Sequence, residues 1–272
     1  MSTELIVASV SGAVALLSAV LSVVLGARSS RRQAELAARL ERQTAALARE
    51  AGRRDLMHRV RDPLLWAAFD LQSRIYNIAR SQNGFLALCY LDGTPREREY
   101  ARRNTLFVFA EYLGWVEILR RRVRFLDLGV REENREVVDL LHRVATVLNS
   151  NAHDSRAFRI FRGEQRAIGE SVITDEGGET GCIGYAEFCR RLDSDPAFAD
   201  WFGQLDADVR ELGEDPRPLP RLVELQHVLM DLITFLDPQG ERFPAHLTRR
   251  LPEEGEGEGE DEHESDQAAT PV

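Results

Sequence analysis

Hydrophobic positions are distributed very unevenly along the chain. The longest apolar run is Leu5–Ala27, LIVASVSGAVALLSAVLSVVLGA, and its 23 residues contain no charge and no proline. Its only polar side chains are Ser9, Ser11, Ser18 and Ser22. As a helix it reaches about 34 Å at ~1.5 Å per residue, enough for a hydrocarbon core of about 30 Å. The pattern predicts one transmembrane helix. MSTE precedes it, with the single acid Glu4, and Arg28, Arg31 and Arg32 follow it. Positive residues stay on the cytoplasmic side. The expected protein is therefore single-pass in the cell inner membrane, N-terminus outside and C-terminal domain cytoplasmic. A cleavable signal would carry basic residues ahead of a shorter apolar run, and this run has none.

One face of this segment is small. Ala8, Ser11, Ala15, Ser18 and Ser22 recur at spacings of 3, 4, 3 and 4, with Gly12, Ala19 and Gly26 beside them at sevens. Small residues let helix backbones approach closely in a membrane, and serine can hydrogen-bond across the contact. Ala8, Ser11, Gly12, Ala15, Ser18, Ala19 and Ser22 are thus the expected interface of a homo-oligomer.

The pattern changes after the run. Residues 28–62 read as a polar helical stalk with one weak face, Leu36, Leu40, Thr44, Leu47 and Ala51. In the register of the small face, Arg32 and Gln43 fall where a coiled coil needs apolar residues. The early arginines can hold anionic lipid headgroups, each contributing about 1 kcal/mol near the surface. Asp62-Pro63 reads as a fresh helix start. A broad apolar face follows, from Leu64 to Ile78. Thr94-Pro95 opens the next helix, over 95–128, whose middle NTLFVFAEYLGWVEIL is apolar on almost every side. Such a helix is buried, and it is the expected centre of the domain.

Further amphipathic helices are predicted over 132–149, over 155–172 with interruptions at Gly163 and Gly169, over 185–192, from Asp195-Pro196 to Leu212, and over 222–236. Pro216, Pro218 and Pro220 mark a linker, and 174–184 reads as a loop. No stretch alternates with a strand period. The fold class expected is all-α: a transmembrane helix (1–27), a helical stalk (28–62), a multi-helix bundle (63–250) and a disordered acidic tail (251–272).

Composition alters this picture in two places. The net charge of −10 is concentrated in the tail, where residues 253–266 hold nine acids; the remainder sits at −1. Such a near-neutral body has no basic excess for nucleic acid. All 35 basic residues are arginine. Without lysine the chain has no Schiff-base chemistry and no P-loop lysine. Cys89, Cys182 and Cys189 are too few and too scattered for a disulfide framework or a zinc site.

Two constellations carry candidate chemistry. Arg156, Arg159, Arg162 and Arg166 recur at 3, 3 and 4, as on one helix face, and guanidinium forks match carboxylates and phosphates. They define an expected anion-binding region running to Gly184, with the Gly177–Gly181 loop beside it. Glu224 and His227 have the Glu-x-x-His spacing of bundle metal sites. Asp55/His58, Asp139/His142 and Glu260/His263 repeat that spacing with weaker residue types or context. No nucleophile elbow, cofactor motif or catalytic cysteine setting is present, and no cofactor is implied. The expected function is a membrane-anchored interaction or scaffold protein with a protein partner. The alternatives are a sensor of an anionic small molecule at the arginines and a metal-dependent enzyme at Glu224/His227.

Overall fold

The computed structural model describes residues 36–37, 39–45, 47–48, 60–80, 84–123, 131–176, 178–244 and 249–252. The chain divides into two compact units, Met1–Leu56 and Met57–Val272. The apolar run Leu5–Ala27, with its small face, lies outside the described residues, as does the acidic tail beyond Pro252. Among the described residues no helix is long and apolar enough to cross a membrane. In the first unit the described residues between 36 and 48 are helical. Leu36, Leu40 and Leu47 are 58%, 60% and 68% exposed there.

The second unit is predominantly helical. Helix α1 covers 60–79. Helix α2 (Phe85–Ala87) runs into a π-helical turn at Leu88–Asp92. Helices α3 (Pro95–Val123), α4 (Arg131–Asn149) and α5 (Arg162–Ser171) follow. A hairpin of β1 (Ile173–Glu176) and β2 (Glu179–Cys182) leads to α6 (Tyr185–Ser194), α7 (Pro196–Asp200), α8 (Gly203–Glu214) and α9 (Pro220–Leu236).

Several starts follow from local chemistry. Thr94 and Glu97 form a reciprocal capping box: Glu97 Oε2 accepts the Thr94 N–H at 2.7 Å, and Thr94 Oγ1 accepts the Glu97 N–H at 3.3 Å. Asp195 accepts the Phe198 N–H at 3.1 Å and Pro196 occupies the first turn of α7. The Asp62-Pro63 expectation is corrected, because residues 60–62 are already helical. Asp62 instead pairs with Arg242 at 3.0 Å.

Helix α3 is the centre of the body, as its composition predicts. Ala101, Leu106, Phe109, Ala110, Tyr112, Leu113 and Ile118 are all buried. Each large side chain among them contributes roughly 1.5–3 kcal/mol by leaving water. Helices α2, α5, α6 and α8 and strand β2 all contact α3. The approach of α5 depends on glycine. A Cβ at Gly169 would lie 2.5 Å from the Leu113 carbonyl oxygen, and one at Gly114 would lie 2.6 Å from Cys182 Sγ. Gly169 lets the α5 backbone meet that of α3, and Gly114 makes room for the Cys182 and Val172 side chains. Gly163 and Gly169, expected to interrupt a helix, both lie within α5.

The stretch expected as a loop is the hairpin. Ile173 pairs with Cys182, Thr174 with Gly181, Asp175 with Thr180 and Glu176 with Glu179. Gly178 has φ +85°, which a tight turn demands. With four polar-rich residues per strand, the hairpin has no period-2 apolar signal to announce it. Gly178 turns the chain, and Gly181 lies within β2 opposite Thr174.

Helix α4 packs on α9 through a face carrying Val137, Leu140, Val144, Val147 and Leu148. Phe188, Phe198 and Phe202 form an aromatic knot with centroid separations of 5.1–5.5 Å, and Phe107 joins it from α3. Phe243 stacks on Phe69 at 3.8 Å. Leu251 is also buried: Gln226 Oε1 accepts its N–H at 3.2 Å, and Gln226 Nε2 donates to Gln72 and to the Arg249 carbonyl. The body therefore extends at least one residue into the predicted tail.

One acid in the core region titrates unusually. Glu111 of α3 is raised from 4.5 to about 7, first by burial and then by the charge of Asp70 on α1. The folded chain keeps this proton between pH 4.5 and about 7, whereas the unfolded chain loses it near 4.5. The stability this protonation favours is complete below pH 4.5 and falls as pH rises to about 7. Glu111→Gln is expected to unfold at higher urea than the native chain at about pH 8, with the two converging in acid. Urea midpoints across that range check it.

Candidate functional site

The arginine constellation does not form one helical face. Only Arg162 and Arg166 lie on α5. Arg156 and Arg159 lie in the irregular segment between α4 and α5. The continuous periodicity predicted over 155–172 fails because Phe158 turns the chain. It adopts φ +56°, a left-handed conformation rare for a bulky residue, with its side chain fully buried. Such a conformation persists only when its surroundings enforce it.

Two buried charged residues supply that enforcement. Asp208 of α8, 4% exposed, accepts the Phe158 N–H at 2.8 Å and the Gln204 amide at 2.9 Å. Burial pushes its carboxyl above the ordinary range, although both donors oppose the shift. Arg221 of α9, 2% exposed, donates to four backbone carbonyls. These are Val147 at 2.8 Å, Ser150 at 3.1 Å, Ser155 at 3.2 Å and Ala157 at 3.1 Å. Burial lowers the Arg221 pKa, and the positive charge of Arg159 lowers it further. Neither residue belongs to a motif or spacing that marks it in the sequence. Arg221 opens an apolar helix straight after proline, which was the available signal.

The four predicted anion ligands have different surroundings. Arg156 is exposed. The guanidinium of Arg159 lies 4.4 Å over the Phe161 ring, itself 50% exposed. Arg159 Nε is buried and has no hydrogen-bond partner. Arg162 donates to Thr146 Oγ1 at 2.7 Å and faces the His142 carbonyl. Arg166 lies 3.9 Å from Glu170, which also reaches Arg121 at 3.4 Å. Arg162 and Arg166 thus have neutral or acidic partners from neighbouring structure. Arg159 has the one buried guanidinium nitrogen without a hydrogen-bond partner among the described residues.

The other candidates fall elsewhere. Glu224 lies 3.0 Å from His153 Nε2, while His227 Nε2 lies 2.7 Å from the Leu251 carbonyl oxygen. The Glu-x-x-His pair is therefore directed to two different partners. Among the described residues no group of three His, Cys, Asp or Glu side chains is placed to hold a metal. Asp55/His58 and Glu260/His263 lie outside the described residues. The three cysteines are free thiols, and burial followed by the Glu111 charge pushes Cys182 up to about 12. A thiol so protonated is a poor nucleophile. A cleft of about 230 Å³ opens among Ile78, Leu86, Leu212 and Pro218, with Arg217 on its lining already bound to Glu211 and Asp215. The expected oligomer interface, Ala8 to Ser22, lies outside the described residues.

The Arg221 geometry sets a stability test. Arg221→Met keeps apolar bulk but strands its carbonyl partners, and is expected to cost about 3 kcal/mol or more in urea unfolding. Arg210→Ala removes an exposed pair with Asp206 at 3.0 Å and is expected to cost about 1 kcal/mol or less. Equal losses would show that the Arg221 contacts do not hold the segment.

Comparison with protein-family models, curated proteins and solved structures finds no match for this chain.

Proposed function

We propose that this chain is a single-pass membrane-anchored interaction module. Leu5–Ala27 is its anchor, residues 28 onward form a stalk, and the helical body is presented on the cytoplasmic side. The observation that carries the reading is the uncharged run of 23 residues with arginine on one flank alone. The body supports it: the buried Arg221, Asp208 and Gln226 hold backbone groups, while Trp66, Leu88, Leu91, Val138, Phe161 and Trp201 remain exposed. Alkaline carbonate extraction of membranes tests the anchor. The full chain is expected in the pellet and a chain lacking residues 5–27 in the supernatant. Release of the full chain would overturn the reading. Crosslinking and pull-down from the same membranes should then recover a protein partner of the body.

A second reading is favoured by Arg159. Its orphaned Nε, with the exposed Arg156 three residues earlier in the same irregular segment, fits the carboxylate or phosphate of an anionic small molecule. In this reading the module senses that molecule. Thermal-shift screening of the full chain against nucleotides and phosphorylated metabolites is expected to give a stabilisation that Arg159→Gln abolishes. Silence across the panel, or an unchanged shift in the variant, would remove it.

A further inference from the structure

The helix of the first unit exposes leucine where an isolated helix gains nothing from it. Leu36, Leu40 and Leu47 are each more than half exposed, and they are spaced by 4 and 7. That spacing belongs to the two core positions of a heptad. Extended toward the N-terminus, the same two positions fall at Gln33, Ser29, Gly26, Ser22, Ala19, Ala15, Gly12 and Ala8. Gln43 completes the series between Leu40 and Leu47. The steps alternate 4 and 3 from Ala8 to Leu47 without an insertion. In this register Arg32 lies beside the seam, not in it.

Charge follows the same phase. Between Arg28 and Leu47 there are seven charged residues, Arg28, Arg31, Arg32, Glu35, Arg39, Glu41 and Arg42, and none occupies a seam position. The next two seam positions are Glu50 and Arg54, so the seam stops at Leu47. Composition switches where the apolar run ends. The seam is glycine, alanine and serine up to Ser29, then leucine and glutamine.

We infer that a second copy of this chain covers the Leu36–Leu40–Leu47 face, in one parallel, in-register seam that begins at Ala8. This rests on the membrane-anchored reading and specifies its self-association. Only parallel pairing places small residues against small residues and leucine against leucine. An antiparallel copy would lay the leucine half against the membrane half. Gln33 and Gln43 then meet their own counterparts across the axis, where a polar core residue selects register and strand number. Neighbouring helices in the membrane begin at the same depth, which fixes the same register.

Disulfide crosslinking of the full chain in membranes tests this, since a disulfide needs Cβ atoms about 3.5–4.5 Å apart. Cysteine is placed at seam positions Ala19, Leu40 and Leu47 and at outward positions Arg42 and Ala45. The native chain, with its own three cysteines, supplies the background. The seam variants are expected to shift from 30.7 kDa to twice that mass, with the outward variants at background. Adding Leu40→Asp to the Ala19→Cys chain should lose that band. Bands at all five positions, at none, or at a mass other than the doubled chain would overturn the seam. Bands at Leu40 and Leu47 without Ala19 would overturn its continuity. A carbonate-resistant chain without selective bands defeats the seam and leaves the anchor intact. A released chain defeats the anchor, and its Leu40 and Leu47 bands still report on the pairing.

Discussion

A buried positive charge hydrogen-bonded by backbone carbonyls sets the geometry of the body. Among the described residues no carboxylate pairs directly with Arg221, although the charges of Glu224 and Asp208 favour its positive form. Its guanidinium is satisfied by the carbonyls of Val147, Ser150, Ser155 and Ala157. Burying a charge this way is costly unless the donors are matched, and a planar fork with several donors matches dispersed carbonyls as a lysine ammonium cannot. Two of those carbonyls belong to the end of α4 and the residue after it, where helix dipoles leave partial negative charge. One side chain thus ties α9 to the end of α4 and to the segment leading into α5. Asp208 grips that segment through the Phe158 N–H. Between them they keep a buried phenylalanine in a left-handed conformation.

That arrangement explains which parts of the structure were readable in advance. Thr94-Pro95 and Asp195-Pro196 carry their start signals within four residues, and both helices begin where those signals stand. The apolar middle of α3 announced burial by composition alone. The arginine periodicity from Arg156 to Arg166 was present in sequence yet misleading, because its helix-breaking event is Phe158, a residue with no local preference for such a turn. Arg221 follows the Pro220 helix start, but its partners are carbonyls that every residue possesses, so nothing in the sequence pairs it with them. The hairpin was missed for a related reason: its short strands hold only two fully apolar side chains, Ile173 and Cys182.

Glycine placement follows the same division between local and distant causes. Gly178 is a turn glycine, legible from its Gly-Gly setting. Gly114 and Gly169 look like helix weaknesses in sequence, and each is needed because another backbone or side chain occupies the space of its Cβ. A residue that costs roughly 0.5–1 kcal/mol in helix propensity is here offset by closer packing of α3 on α5.

The exposed leucines of the first unit belong to a different balance. In lipid, apolar surface gains nothing by meeting apolar surface, so helix pairing relies on close backbone approach and small residues. In water, burial of a large side chain supplies the drive, and leucine serves. A single seam crossing from one solvent to the other should therefore keep its phase and change its residues. In the proposed seam, Ala8 to Gly26 and Leu36 to Leu47 would keep one phase and differ in residue type, with serine and glutamine between them. Chance could supply a small face in the membrane or three leucines in the stalk. Common phase across both, with every intervening charge excluded from it, is what one continuous contact between two copies requires.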